Sequence, residues 1–200
     1  MYLCRMPRQF TRAEKTLSAT FDDIPRRIFL DSSALQALQS YGGFIYENAA
    51  LDAAARIHRD PTGVDKLTAL RCIMEVAQRA PFKFALSHNS FLEVTRRGDA
   101  RYLQWAYDVL DHWRACLEEA PSPAVDLKIA ATTDTSSYNY LGTGDRALIK
   151  DALLLGCDSF LTMENKLPKN ADHIRSTLGI RVLSPLDMWE LLRPWAALFL

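Results

Sequence analysis

Apolar residues recur along this chain in two rhythms, and their alternation points to a fold class. Short continuous runs occur at Ile28-Phe29-Leu30, Phe82-Lys83-Phe84-Ala85-Leu86, Ser159-Phe160-Leu161-Thr162 and Ile180-Arg181-Val182-Leu183. They lack the strict alternation of a half-exposed strand and suit a parallel sheet covered on both faces. Between them, spacings of three and four predict helices, clearest at Leu67, Leu70, Ile73, Met74 and Ala77. Further helices are expected from Leu35 to the interruption at Gly42-Gly43, and over 45–57, 88–97, 102–117, 145–155, 172–178 and 185–192. Ser32 or Ser33 is expected to cap the first of these and Ser87 the one at 88–97. Gly156 is placed to end the helix at 145–155. Strands alternating with helices imply βαβ units. The expected class is therefore α/β, a three-layer α/β/α sandwich around a mainly parallel sheet.

The same pattern organises the chain. Residues 1–25 are polar and mixed, an N-terminal extension with one short helix over 11–19, and residues 26–200 form the domain. An insertion of helix and loop is expected around 99–143. Its part at 120–143 carries two prolines and many Ser and Thr, and reads as a mobile loop near the functional site. The segment 59–63 is a turn by composition. The apolar end, 191–200, is expected to dock on the domain's own core; a protein partner or a homodimer is the alternative use.

Charge and cysteine content narrow the classes. Lys plus Arg equals Asp plus Glu at 24 each in 200 residues, which argues against a strongly cationic, nonspecific nucleic-acid binder. It leaves open an enzyme whose local acids offset a basic rim. Cys4, Cys72, Cys116 and Cys157 are widely spaced and make no zinc or disulfide pattern, so reduced thiols are expected. The start, MYLCRMPRQF, has no apolar core of a signal peptide. No apolar run approaches the roughly 20 residues a spanning helix needs. A cytoplasmic protein is the expectation. No Walker loop and no GxGxxG is present, against nucleotide-dependent classes.

Four acids carry the candidate chemistry. Asp31 follows an apolar strand directly, at the carboxyl end where α/β sheets bind ligands. Asp145 lies in the first turn of its helix, in line with Leu148, Ile149 and Ala152 at spacings of three, four and seven. Glu164 follows the strand ending at Thr162. Glu93 is set among Phe91, Leu92 and Val94. Each has an ordinary alternative: a helix cap for Asp31, a helix-dipole partner for Asp145, an ion pair with Arg96 or Arg97 for Glu93, a solvated turn for Glu164. The set is what favours a site. A phosphorylated strand-end Asp of the dehalogenase type would want a second Asp where Ser33 stands.

Three stretches, IFLDSSAL, SHNSFLEVTRRG and GDRALIKDALLLGCDSFLTMENKL, resemble the PIN-domain nucleases, including the toxin ribonucleases of toxin–antitoxin pairs. The resemblance covers roughly 27–192, and the interval from Asp145 through Gly156 to Thr162 is its most specific part. It implies a PIN-like sandwich with Asp31, Glu93 and Asp145 as core metal-site acids and Glu164 as a fourth, where the family more often has Asp. Ser32, Ser33 and Thr162 match the small hydroxyl positions that line or support such a site. The implied activity is endoribonuclease cleavage of RNA with Mg2+ or Mn2+, with an antitoxin protein as a partner in the toxin case. Arg96, Arg97, Arg101, Arg146 and Lys166 are candidates for holding substrate phosphates. The alternative is a PIN-like module that no longer cuts and binds nucleic acid or protein. Crowded carboxylates themselves call for a cation: two at about 4 Å repel by roughly 4 kcal/mol at an effective dielectric of 20. Oxygen ligands suit magnesium or manganese.

Overall fold

The computed structural model describes residues 20–90, 104–105, 107–109, 111–114 and 126–200. Its class is α/β. Four strands, β1 (Arg27–Leu30), β2 (Lys83–Ala85), β3 (Ser159–Leu161) and β4 (Arg181–Leu183), pair in parallel in the order β2-β1-β3-β4. The helices include α1 (Ser32–Ser40), α2 (Gly42–Tyr46), α3 (Gly63–Ala77), α4 (Leu127–Thr132), α5 (Thr143–Leu154), α6 (Ala171–Leu178) and α7 (Pro185–Leu192).

Successive strand side chains point to opposite faces. Ile28, Leu30, Phe84 and Leu161 pack with Leu35 of α1, Leu70 and Ile73 of α3 and Trp189 of α7. Phe29, Ala85, Phe160 and Val182 pack with Leu148, Ile149 and Ala152 of α5 and with Ile174 and Leu178 of α6. Both faces are covered, which is why the strand runs show so little polar alternation. The chain goes from β1 to β2 on one side and returns to β1's other side as β3. The direction therefore reverses between β1 and β3, and the crevice beyond their carboxyl ends is where such sheets bind ligands.

Several expectations need correction. The helix expected over 45–57 stops at Tyr46, because Asn48 turns into the left-handed region at φ 58°. There the Ala49 amide bonds back to the Gly43 carbonyl at 2.9 Å, closing the helix end. The 120–143 stretch is not all loop: α4 lies within it, capped by Asp126, whose side chain accepts from the Lys128 and Ile129 amides. Ser32 and Ser33 are the first residues of α1, and the capping position belongs to Asp31. Cys157 is a free, buried thiol, pushed up to about 12 by burial, but Cys72 is disulfide-bonded, against the expectation of reduced thiols throughout. The helix expected at 88–97 does begin at His88, with the Ser90 amide bonding Ser87 Oγ at 3.2 Å. Its continuation, and the short helix expected at 11–19, lie outside the described residues.

At the C-terminal end, Met188, Trp189, Leu192 and Ala196 are buried in the core against α3, while Leu198 is 68% exposed. Most of this apolar stretch thus serves its own domain. Phe21 adds an edge-on contact to Trp195, with ring centroids 5.5 Å apart. Among the described residues no helix is long and apolar enough to cross a membrane.

One glycine is fixed by space. A Cβ on Gly63, the first residue of α3, would lie 2.3 Å from the Ile57 carbonyl oxygen and 2.9 Å from Ile57 Cγ1. The obstacle is backbone, so it cannot swing away. Gly63→Ala is expected to cost about 1–3 kcal/mol of stability through overpacking, read as a lower urea midpoint at unchanged slope. An unchanged midpoint would show that the 56–59 turn yields freely.

Candidate functional site

Asp31 leaves β1 with its amide bonded to the Leu161 carbonyl at 3.0 Å, continuing the β1–β3 ladder by one residue. Its own carbonyl accepts from Leu35 at 2.9 Å and opens α1. Although it occupies the capping position, its side chain makes no capping hydrogen bond. The carboxylate, only 5% exposed, is held by hydroxyls instead. Ser33 Oγ donates to Asp31 Oδ2 at 2.5 Å and Thr162 Oγ1 donates to the same oxygen at 2.6 Å. Ser32 Oγ lies 3.5 Å from Oδ1.

Each hydroxyl has one hydrogen to give and lone pairs to receive. Having spent their hydrogens on Asp31, Ser33 and Thr162 accept from the next loop. Ser33 Oγ receives the Met163 amide at 3.1 Å, and Thr162 Oγ1 receives the Glu164 amide at 3.1 Å. One collar of hydrogen bonds thus joins the ends of β1 and β3 around a buried carboxylate. Sequence reasoning found all four of these side chains.

The other expected residues are placed as follows. Asp145 is half-buried in the first turn of α5, its carboxylate close over Gly142, where an added Cβ would meet Oδ2 at 3.3 Å. Leu148, Ile149 and Ala152 are buried below it, as their spacing implied. The far end of α5 is fixed at the amino end of β1, where Arg27 Nη1 donates to the Leu155 carbonyl at 3.0 Å. Its start therefore lies toward the carboxyl end, on the Asp31 side. Glu164 and Lys166 are exposed on the loop after β3. Arg146 is half-buried, with Nη1 donating to Asn139 Oδ1 at 3.4 Å and its Nε buried without a hydrogen-bond partner. Glu93, Arg96, Arg97 and Arg101 lie outside the described residues. Among the described residues, no three His, Cys, Asp or Glu side chains come close enough to hold a metal.

Two further acids near the strands sit in structural roles. Asp158 accepts the Arg26 amide at 2.7 Å at the amino ends of the strands. Asp151 accepts from Asn89 Nδ2 at 2.9 Å.

Sequence reasoning missed Lys66. This side chain is 3% exposed and donates to three acceptors: Asn165 Oδ1 at 2.6 Å, the Met163 carbonyl at 2.8 Å and Asp60 Oδ2 at 3.2 Å. Asp60 also receives Asn165 Nδ2 at 3.2 Å and the Thr62 amide at 3.0 Å. The hydrogen bond from the Thr62 backbone, aided by Lys66 against the opposing effect of burial, holds the Asp60 carboxyl down to about 2. The signal was present: Lys66 precedes Ala69, Leu70 and Ile73 at spacings of three, four and seven, all buried.

Comparison with family profiles, curated proteins and solved structures finds no match.

Proposed function

We propose that the chain is a PIN-like, three-layer α/β/α nuclease that hydrolyses RNA phosphodiesters with Mg2+ or Mn2+. The observation that carries this reading is the setting of Asp31. A carboxylate is buried at the switch point of a parallel sheet, makes no helix-capping hydrogen bond and is held by two hydroxyls. Burying it costs free energy that a simple cap would not incur. The donors around it are carboxylate and hydroxyl oxygens, a set that fits a hard divalent cation.

In this reading Asp31, Glu93 and Asp145 would hold the metal, with Glu164 as a further ligand or as the group that orients water. The bound cation supplies Lewis-acid and water-activating chemistry. Ser33 and Thr162 fix the Asp31 carboxylate in one orientation, so no rearrangement is needed when charge develops. Arg146, half-buried in the first turn of α5, would offer its guanidinium to a substrate phosphate. Arg96, Arg97 and Lys166 would be further donors to substrate phosphates in this reading. An antitoxin-type protein that covers the acids belongs to the toxin version of this proposal.

The test is metal-dependent cleavage of single-stranded RNA by the wild type and by Asp145→Asn. Losing one ligand carboxylate, worth about 3 kcal/mol in the transition state, lowers kcat/KM about a hundredfold. Equal activity in the two proteins removes Asp145 from the site.

A second reading is a PIN-like module that binds without cutting. It is favoured by the lack of a three-acid group among the described residues. RNA binding with no Mn2+ binding in a direct titration would select it.

A further inference from the structure

We propose that Lys66 is a positioning residue, which holds the loop after β3 so that Asp31 and Glu164 are ready for a divalent cation. This rests on the nuclease reading above. A lysine 3% exposed is expensive to bury and is kept only where its ammonium is fully matched. Here its three donors meet three acceptors at 2.6, 2.8 and 3.2 Å.

Two of those acceptors flank Glu164. Lys66 takes the carbonyl of Met163 on one side and the side chain of Asn165 on the other. Met163 is held at both ends of its peptide groups, since its amide donates to Ser33 Oγ at 3.1 Å. Ser33 in turn donates to Asp31 Oδ2 at 2.5 Å. A continuous path therefore runs from Lys66 through Met163 and Ser33 to the buried carboxylate. Thr162 closes a parallel path, receiving the Glu164 amide and donating to the same oxygen. Asp60 anchors the far side of the ammonium from the turn before α3. Stability alone explains a buried ion pair poorly, because apolar replacements are often as stable. A clamp placed on both neighbours of a candidate ligand explains why the charge is kept there.

The experiment compares wild type, Lys66→Met and Asn165→Ala. Binding of Mn2+ alone is measured by calorimetric titration. Amide hydrogen exchange at residues 163–164 is followed in metal-free protein, and urea midpoints are recorded for all three. Lys66→Met is expected to weaken Mn2+ binding about tenfold, the low end for partners that orient ligands. It also speeds exchange at 163–164 while α7 keeps its protection. Asn165→Ala, at an exposed position, removes one of the three bonds and weakens binding about threefold. A merely structural lysine would lower the urea midpoint and leave Mn2+ affinity and local exchange as in wild type; that result overturns the proposal. If Lys66→Met does not fold, wild-type affinity and exchange in Asn165→Ala overturn it equally. A wild type that binds no Mn2+ sinks the nuclease reading instead, and the exchange data still decide whether the clamp exists.

Discussion

Asp31→Asn is expected to lower metal-dependent RNA cleavage about a thousandfold while leaving the fold in place. The substitution removes a charge and keeps the shape. An asparagine oxygen can still accept from Ser33 and Thr162, which now donate at 2.5 and 2.6 Å. What is lost is the buried anion at the meeting point of β1 and β3. If that anion is a metal ligand, its removal forfeits about 4 kcal/mol of transition-state stabilisation, and each 1.4 kcal/mol is about a factor of ten. The melting temperature in metal-free buffer should move by no more than a few degrees, because burying an amide costs less than burying a carboxylate. Added Mn2+ should raise the wild-type melting temperature and not that of the variant, since a ligand stabilises only the state that binds it. Activity within tenfold of wild type would remove Asp31 from the chemistry and leave it a structural acid.

The part of this site that could be read in advance was the part written in local pattern. Asp31, Thr162 and Glu164 each stand just past a short apolar run, and a run without alternation already implies a strand covered on both faces. Asp145 was visible because a carboxylate in register with Leu148, Ile149 and Ala152 cannot point wholly outward. Lys66 obeys the same spacing with Ala69, Leu70 and Ile73. It was passed over because a cation on an apolar stripe has no evident purpose until its acceptors, about 100 residues away in sequence, are known. The end of α2 at Tyr46 was hidden for a different reason. The following residues, rich in alanine, favour helix, and a single left-handed Asn48 overrides them. The helix α4 was masked by the Ser, Thr and Pro around it, although Asp126 three residues before Ile129 is an ordinary capping position.

The largest expected loss of stability comes from Phe160→Ala. Phe160 is on β3, between β1 and β4, and is 1% exposed. Its ring stacks on Phe29 of β1, with centroids 5.4 Å apart and planes at 14°. Both rings fill the layer under α5 and α6, where Leu148, Ile149 and Ile174 are themselves buried. Truncation removes a large apolar group and leaves a cavity that a parallel sheet, hydrogen-bonded on both sides of β3, cannot close. The cost is about 3–5 kcal/mol, a large share of the roughly 5–15 kcal/mol typical of a whole domain. For a chain of this size each kcal/mol is about 2–4 °C, so the melting temperature should fall by roughly 10 °C. Below that temperature cleavage should persist within a few fold, because the Ser33–Asp31–Thr162 collar is made by hydrogen bonds beyond the strand ends, none of which involves the Phe160 ring. The Phe29→Ala and Phe160→Ala costs should also fail to add, since each variant already forfeits the ring pair; a coupling of about 0.5–1.5 kcal/mol is expected. A Phe160→Ala protein that unfolds within 1 kcal/mol of wild type would mean that the two rings do not share one packed layer, and the assignment of the α5 and α6 face as core would fall with it.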